Sequence, residues 1–347
     1  MPTDATAPPA DTEDHPAAYR ARSATGLRLG LAPAIVFSLG LILDWPVFYL
    51  AAVFAALFCQ APAPMPLASG LRLLLVAAFF LASALLLASV LEPYPVVFLA
   101  GVAIGLGVTL RAAVRGANTL IVVLAMLAAL LIPFLVKISS DLAGLIAFWL
   151  VINMSVALLV SWAAFALFPS ATPPKPKPQE SSAEFDPGRR LARMCLVTIP
   201  FAMVFFLIES DAALVLIFAA ILATQLAAST AAGPLVAKGM MAANLLGGLA
   251  AVLVYEALVM APFLPLAILL ILSASLCFAD RFAAGDALAG SALTAVLILV
   301  GGSLGPISDG AEVKMLTRLW QIGLALAYIL SAFVLVDRWL PEKGTQR

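Results

Sequence analysis

The sequence predicts an all-α polytopic membrane protein, with about twelve transmembrane helices arranged as two parallel six-helix repeats. Three observations lead there. Hydrophobic residues make up 64% of the 347 positions, charged ones only 11%, and mean hydropathy is +1.11. A soluble domain of this length has no use for so much apolar surface. Apolar stretches follow one another from residue 29 to residue 336, separated by short breaks rich in turn chemistry. Finally, Arg22, Pro33 and Asp44 recur as Arg189, Pro200 and Asp211, each pair 167 positions apart, and the order of stretches and breaks recurs with them.

Residues 1–25 are rich in Pro, Asp, Ala and Thr and lack the basic-then-apolar pattern of a cleaved signal, so they read as a disordered cytoplasmic tail. The first membrane repeat, 26–169, holds apolar stretches at 29–43, 46–60, 73–91, 94–110, 117–136 and 142–168. Its first two are short for a hydrocarbon core of roughly 30 Å, and read as tilted or buried helices or as a re-entrant hairpin. Residues 170–188 carry PPKPKP and several acidic residues and form a polar linker. The second repeat, 189–341, has stretches at 191–208, 212–230, 239–255, 261–279, 287–304 and 319–336, followed by a tail at 342–347. Breaks fall at Asp44-Trp45-Pro46, Ala61 to Pro66, Glu92 to Pro95, Pro262 and Pro265. Pro33 and Pro200 lie inside the first stretch of each repeat, where the missing N–H can kink a helix.

Lysine and arginine set the orientation. With the N-terminus inside, Arg20, Arg22, Arg28, Arg72, Arg111, Arg115, Lys175, Lys177, Arg189, Arg190, Arg193, Lys238, Arg281, Arg338, Lys343 and Arg347 fall on the cytoplasmic side. Only Lys137, Lys314 and Arg318 fall opposite. That asymmetry supports an even number of spans per repeat, with both halves then running in the same direction. A net charge of zero argues against nucleic acid as a partner. Cys59, Cys195 and Cys277 have no paired spacing and read as small core hydrophobes, and the one histidine, His15, sits in the tail. No cofactor, metal centre or enzymatic cluster is expected.

The basic entry at Arg22 and Arg28, the break Asp44-Trp45-Pro46, the Gln60–Pro66 loop and Arg72 before a long helix form a pattern. It returns as Arg189 and Arg193, Asp211, Thr224-Gln225, Lys238 and a helix with Asn244 and Gly247-Gly248. This resembles the fusaric-acid-resistance and aromatic-acid-exporter superfamily of bacterial inner-membrane proteins, in its compact membrane-only, DUF2955-like branch of largely unassigned function. The resemblance implies export of small, often aromatic, carboxylic acids, a periplasmic adaptor of the membrane-fusion type, and a pore between two six-helix units. It leaves room for a homo-oligomer.

An anionic substrate of that kind needs cations or amides near its path. The repeat-matched cations are Arg72 with Lys238 and Arg111 with Arg281, readable as positive-inside anchors or as an anion-attracting vestibule. Gln60 and Gln225 end the second stretch of each repeat and can donate to a carboxylate without a buried charge, or simply pack there. Asn118, Asn153 and Asn244 are further amides whose default role is interhelical bonding. Asp44 and Asp211 are the matched candidates for proton coupling, against the plainer reading of solvated loop residues. Gly101 and Gly105 form a GxxxG suited to close helix approach, and Gly301 to Gly305 reads as a helix end. The function expected is a secondary efflux transporter for small organic acids. The alternatives are a major-facilitator-like carrier, although the loop APAPMPLASGLR lacks that family's signature, and a non-transporting membrane subunit of an envelope-assembly complex.

Overall fold

A computed structural model describes residues 15–169, 187–207, 233–304 and 311–339. Among them are eleven helices and no strand: α1 (His15–Leu43), α2 (Tyr49–Cys59), α3 (Leu67–Leu91), α4 (Pro95–Val114), α5 (Thr119–Ile138), α6 (Ser140–Leu167), α7 (Pro187–Leu207), α8 (Gly233–Met260), α9 (Leu264–Ala283), α10 (Ala287–Ser303) and α11 (Ala311–Trp339). Nine of these are long and apolar enough to cross a membrane, the exceptions being α2 and α10. The protein is therefore a multi-pass membrane protein. Large side chains such as Leu75, Phe79, Val108 and Leu253 are more than half exposed on the outside of the bundle, where only lipid tails suit them.

Turn chemistry sets several helix ends. Pro95 opens α4, where a missing N–H costs nothing. Asn118 caps α5 by accepting from the Leu120 amide at 2.9 Å, and Asp286 caps α10 by accepting from Leu288 at 3.0 Å. Just before each cap lies a glycine at positive φ, Gly116 at 79° and Gly285 at 102°. Each closes its helix in the same way. The Gly116 and Ala117 amides donate to the carbonyls of Ala113 and Ala112, and the Gly285 and Asp286 amides to those of Phe282 and Arg281. This is the Schellman arrangement, which favours glycine at its left-handed position.

Helix α1 departs from expectation. It starts at His15, well before the apolar stretch, and yields a full 25-residue span, Tyr19–Leu43, with Pro33 inside it. The preceding residues (Ala17, Ala18, Ala21, Ala24 and two arginines) are good helix formers and prolong the apolar helix into the polar tail. Helix α2 settles the second stretch as a buried short helix. Its eleven residues reach only about 16 Å, and Ala51 to Ala56, Phe58 and Cys59 are all buried.

Helix α2 is packed between α1, α6 and α10. It runs antiparallel to α10, with Gln60 beside Gly290 and Tyr49 against Gly301. A Cβ at Gly301 would overlap the Tyr49 side chain, so the close approach needs glycine there. Two further contacts join early helices to late ones. Helix α1 lies along α9, where a Cβ on Gly30 would come within 2.6 Å of Leu276, and α4 packs on α7, with Phe98 edge-on to Phe206 at 5.9 Å. Elsewhere α3 packs on α4, α5 and α6, α5 on α4 and α6, and α1 on α6. Helix α8 packs on α9, α10 and α11, α10 on α9 and α11, and α7 on α11.

Candidate functional site

Polar groups inside an apolar bundle carry the chemistry, because the bilayer offers no water to satisfy them. Four such places stand out.

Gln60, at the C-terminal end of α2, is half-buried and donates through Nε2 to the Gly290 carbonyl at 3.5 Å. A side chain on Gly290 would meet the Gln60 amide at about 2.9 Å, so the glycine leaves room for it. Among the described residues of the expected substrate pathway, Gln60 is placed inside the bundle, whereas Arg72, Lys238, Arg111 and Arg281 are exposed.

The turn between α1 and α2 is strained. Asp44 and Val47 both adopt positive φ, 49° and 50°, which for a β-branched valine is a genuine outlier. Asn153 on α6, fully buried, holds this turn. Its Oδ1 accepts from Trp45 Nε1 at 3.0 Å, and its Nδ2 donates to the carbonyls of Pro46 at 3.4 Å and Trp149 at 2.8 Å. Asp44 itself is exposed.

Arg28 is only 1% exposed. Its guanidinium donates to the Cys59 carbonyl at 3.4 Å and the Phe168 carbonyl at 3.3 Å, and lies 3.9 Å over the Phe165 ring. Those carbonyls end α2 and α6, where intrahelical donors run out and the helix dipole is negative. Arg193 on α7 is also buried and sits over Phe333 at 5.8 Å.

The fourth place joins α8, α10 and α11. Arg318 Nε donates to Asn244 Oδ1 at 2.9 Å, and Asn244 Nδ2 donates one turn back to Met240 at 2.9 Å. Lys314 Nζ donates to the carbonyl of Gly302, near the end of α10. Lys137 does the same for α7, donating to Phe206 at 3.2 Å.

The remaining expected residues lie elsewhere. Arg72, Lys238, Arg111 and Arg281 are all exposed near helix ends, which suits interfacial anchoring. Asp211 and Gln225 lie outside the described residues. Asn118 is a helix cap rather than an interhelical amide. Gly101 approaches Leu91 closely, but Gly105 meets only Ala129 at 3.7 Å. Both instead line an apolar cavity of about 440 Å³ between α3, α4 and α5. Among the described residues no three His, Cys, Asp or Glu side chains converge on a possible metal position.

The sequence places Arg28 and Arg318 at the membrane surfaces and gives neither a part in the site. Both sit just outside the apolar stretches read from the sequence, yet inside helices that begin earlier. An arginine within a turn of a long apolar run is the signal that could have found them.

The architecture is thus that of a multi-pass helical membrane protein. Residues 25–164, from α1 into α6, are similar to the family described as "Protein of unknown function (DUF2955)". No curated protein and no solved structure matches the chain.

Proposed function

We propose that the protein is a secondary exporter of small organic, often aromatic, carboxylic acids, of the kind its fusaric-acid-resistance resemblance implies. In this reading it lies in a bacterial inner membrane as two parallel six-helix halves, with both ends and the linker cytoplasmic, and hands substrate to a periplasmic adaptor.

Matched packing supports the two-fold arrangement. If α7 corresponds to α1, and α8 to α11 correspond to α3 to α6, every contact within the first half that does not involve α2 has its mate in the second. The contact of α1 with α9 is then the mate of that between α7 and α4. The paired Schellman ends at Gly116 and Gly285 and the paired arginine–phenylalanine contacts, Arg28–Phe165 and Arg193–Phe333, agree with it.

Transporters built from such repeats place substrate at the repeat interface. The observation that carries the reading is Gln60, an amide on the seam between the halves, bonded across it to Gly290. Arg72 with Lys238 and Arg111 with Arg281 then draw anions to the cytoplasmic mouth, Gln225 mirrors Gln60, and Asp44 and Asp211 couple transport to protons. Deleting the gene tests this. The deletion strain is expected to become sensitive to aromatic acids and to retain labelled 4-hydroxybenzoate. Unchanged sensitivity and retention would remove the reading's support.

A further inference from the structure

The apolar cavity between α3, α4 and α5 is lined by none of Gln60, Arg28, Asn153, Asn244 and Arg318. Its volume of about 440 Å³ falls within the roughly 300–1,000 Å³ of small-molecule sites. An apolar cavity of about 150 Å³ already takes up benzene. The walls run from Phe80 to Leu91 on α3 and from Phe98 to Thr109 on α4. Each wall is thus about 16 Å long, and the space lies along the helices. One end is beside the exposed turn Glu92-Pro93-Tyr94, where α3 gives way to α4. A length of about 16 Å is half of a hydrocarbon core of roughly 30 Å. The cavity therefore has the depth of one lipid leaflet.

Its chemistry suits hydrocarbon. Ser83 and Thr109 are the polar side chains among the described lining residues, and both turn back on their own helices. Ser83 Oγ donates to the Phe80 carbonyl at 3.0 Å, and Thr109 Oγ1 donates to the Gly105 carbonyl at 2.9 Å. No charged side chain among the described residues lines the space, so it holds no partner for a carboxylate. The mouth opens sideways into the bilayer. Leu87, Ile104 and Val108 belong both to the lining and to the lipid-facing surface, each being more than half exposed.

Small side chains make the hollow: Gly101 and Gly105 on α4, and Ala125, Ala128 and Ala129 on α5. In the pairing proposed above, Gly116 corresponds to Gly285 and Asn118 to Asp286. Gly101 then corresponds to Leu270 on α9, and Ala125, Ala128 and Ala129 to Leu293, Val296 and Leu297 on α10. Those last three are fully buried in the core. Paired helices of this fold thus carry large side chains at these positions, and the hollow belongs to the sequence of the first half. Left empty, it would forfeit the contacts that close packing provides. We propose that this cavity holds one acyl chain of a bilayer phospholipid, lying along α4 with the headgroup beside the Glu92–Tyr94 turn. It is a lipid site of the first half, separate from any path for anions.

Photolabelling of the full chain in bilayers that contain a phosphatidylethanolamine with a diazirine at mid-chain tests this, with labelled residues read by mass spectrometry. Labelling is expected to concentrate on the cavity walls over Leu75 and Phe79, which face lipid outside it. Gly105→Phe sends a ring into the cavity, since a Cβ there meets only Ala129 at 3.7 Å. Gly101→Leu combined with Ala129→Leu copies the second half. Both variants are expected to elute as the natural protein does and to lose wall labelling by roughly tenfold, because a filled space admits no chain. Gly107→Leu, on the same helix but outside the lining, is expected to keep it. Palmitate carrying the same diazirine is expected to show no preference for the walls. Labelling spread evenly over the exposed faces, or wall labelling unchanged in both filled variants, would overturn the site. A preference shown by palmitate and not by the phospholipid would overturn the choice of a phospholipid chain.

Discussion

Asn153 offers a measurable test of how the bundle holds its short inner helix. Replacing it with alanine removes the partner of Trp45 Nε1 at 3.0 Å and of the Pro46 carbonyl at 3.4 Å. Its bond to Trp149 lies within one helix, where that carbonyl already accepts from the backbone. Two polar groups at a strained turn are left without partners, at about 1–3 kcal/mol each if fully buried. Trp45 is only partly buried, and in membrane proteins the unfolded state recovers some partners, with measured couplings averaging about 0.6 and reaching about 1.7 kcal/mol. Asn153→Ala should therefore cost about 1.5–3 kcal/mol in all. The Trp45–Asn153 term should fall at roughly 0.6–1.7 kcal/mol. Reversible unfolding by SDS in mixed micelles can resolve it through a cycle of Asn153→Ala, Trp45→Phe and the double variant. A coupling within about 0.3 kcal/mol of zero would refute the claim that this bond anchors the turn into α2.

Other perturbations probe other links. Gly301→Leu places a side chain against Tyr49 and should destabilise the fold by about 1–3 kcal/mol or more, whereas Gly107→Ala, with nothing within 4 Å, should be neutral or stabilising. The same SDS titration reads both. Arg28→Ala strips two helix-end carbonyls of their donor and a ring of its cation, for a loss of about 2–4 kcal/mol that Arg28→Lys should partly restore. Reversing charge at Arg72 and Lys238 together should reduce export from cells while membrane insertion, followed by fractionation, stays normal. Full export by that variant would leave both residues as anchors.

The fold was legible where apolar content alone decides. The long spans α3 to α6 and α9 follow the apolar stretches closely, because a helix that must face lipid has to be apolar along its length. The errors came at ends. Apolar content places Arg28 before the first stretch and Arg318 before the last, but α1 starts at His15 and α11 at Ala311. Both arginines therefore sit inside helices and among buried partners. A count of basic residues assigns them to the membrane surface because it cannot see a guanidinium bonded to backbone carbonyls or to an asparagine. The burial of α2 was foreshadowed by its length, yet its partner α10 was not, since contacts between the halves depend on glycines 230 and more positions away. Gln60 was readable as an amide at a helix end, while its position on the seam was set by that packing.

The central claim is that a small organic anion crosses the membrane through this bundle. Counterflow of radiolabelled 4-hydroxybenzoate in proteoliposomes preloaded with the unlabelled acid measures this most directly. The account predicts transient accumulation that depends on the protein, is blocked by related aromatic carboxylates and is untouched by 4-hydroxybenzamide. Accumulation no greater than in protein-free vesicles would contradict it.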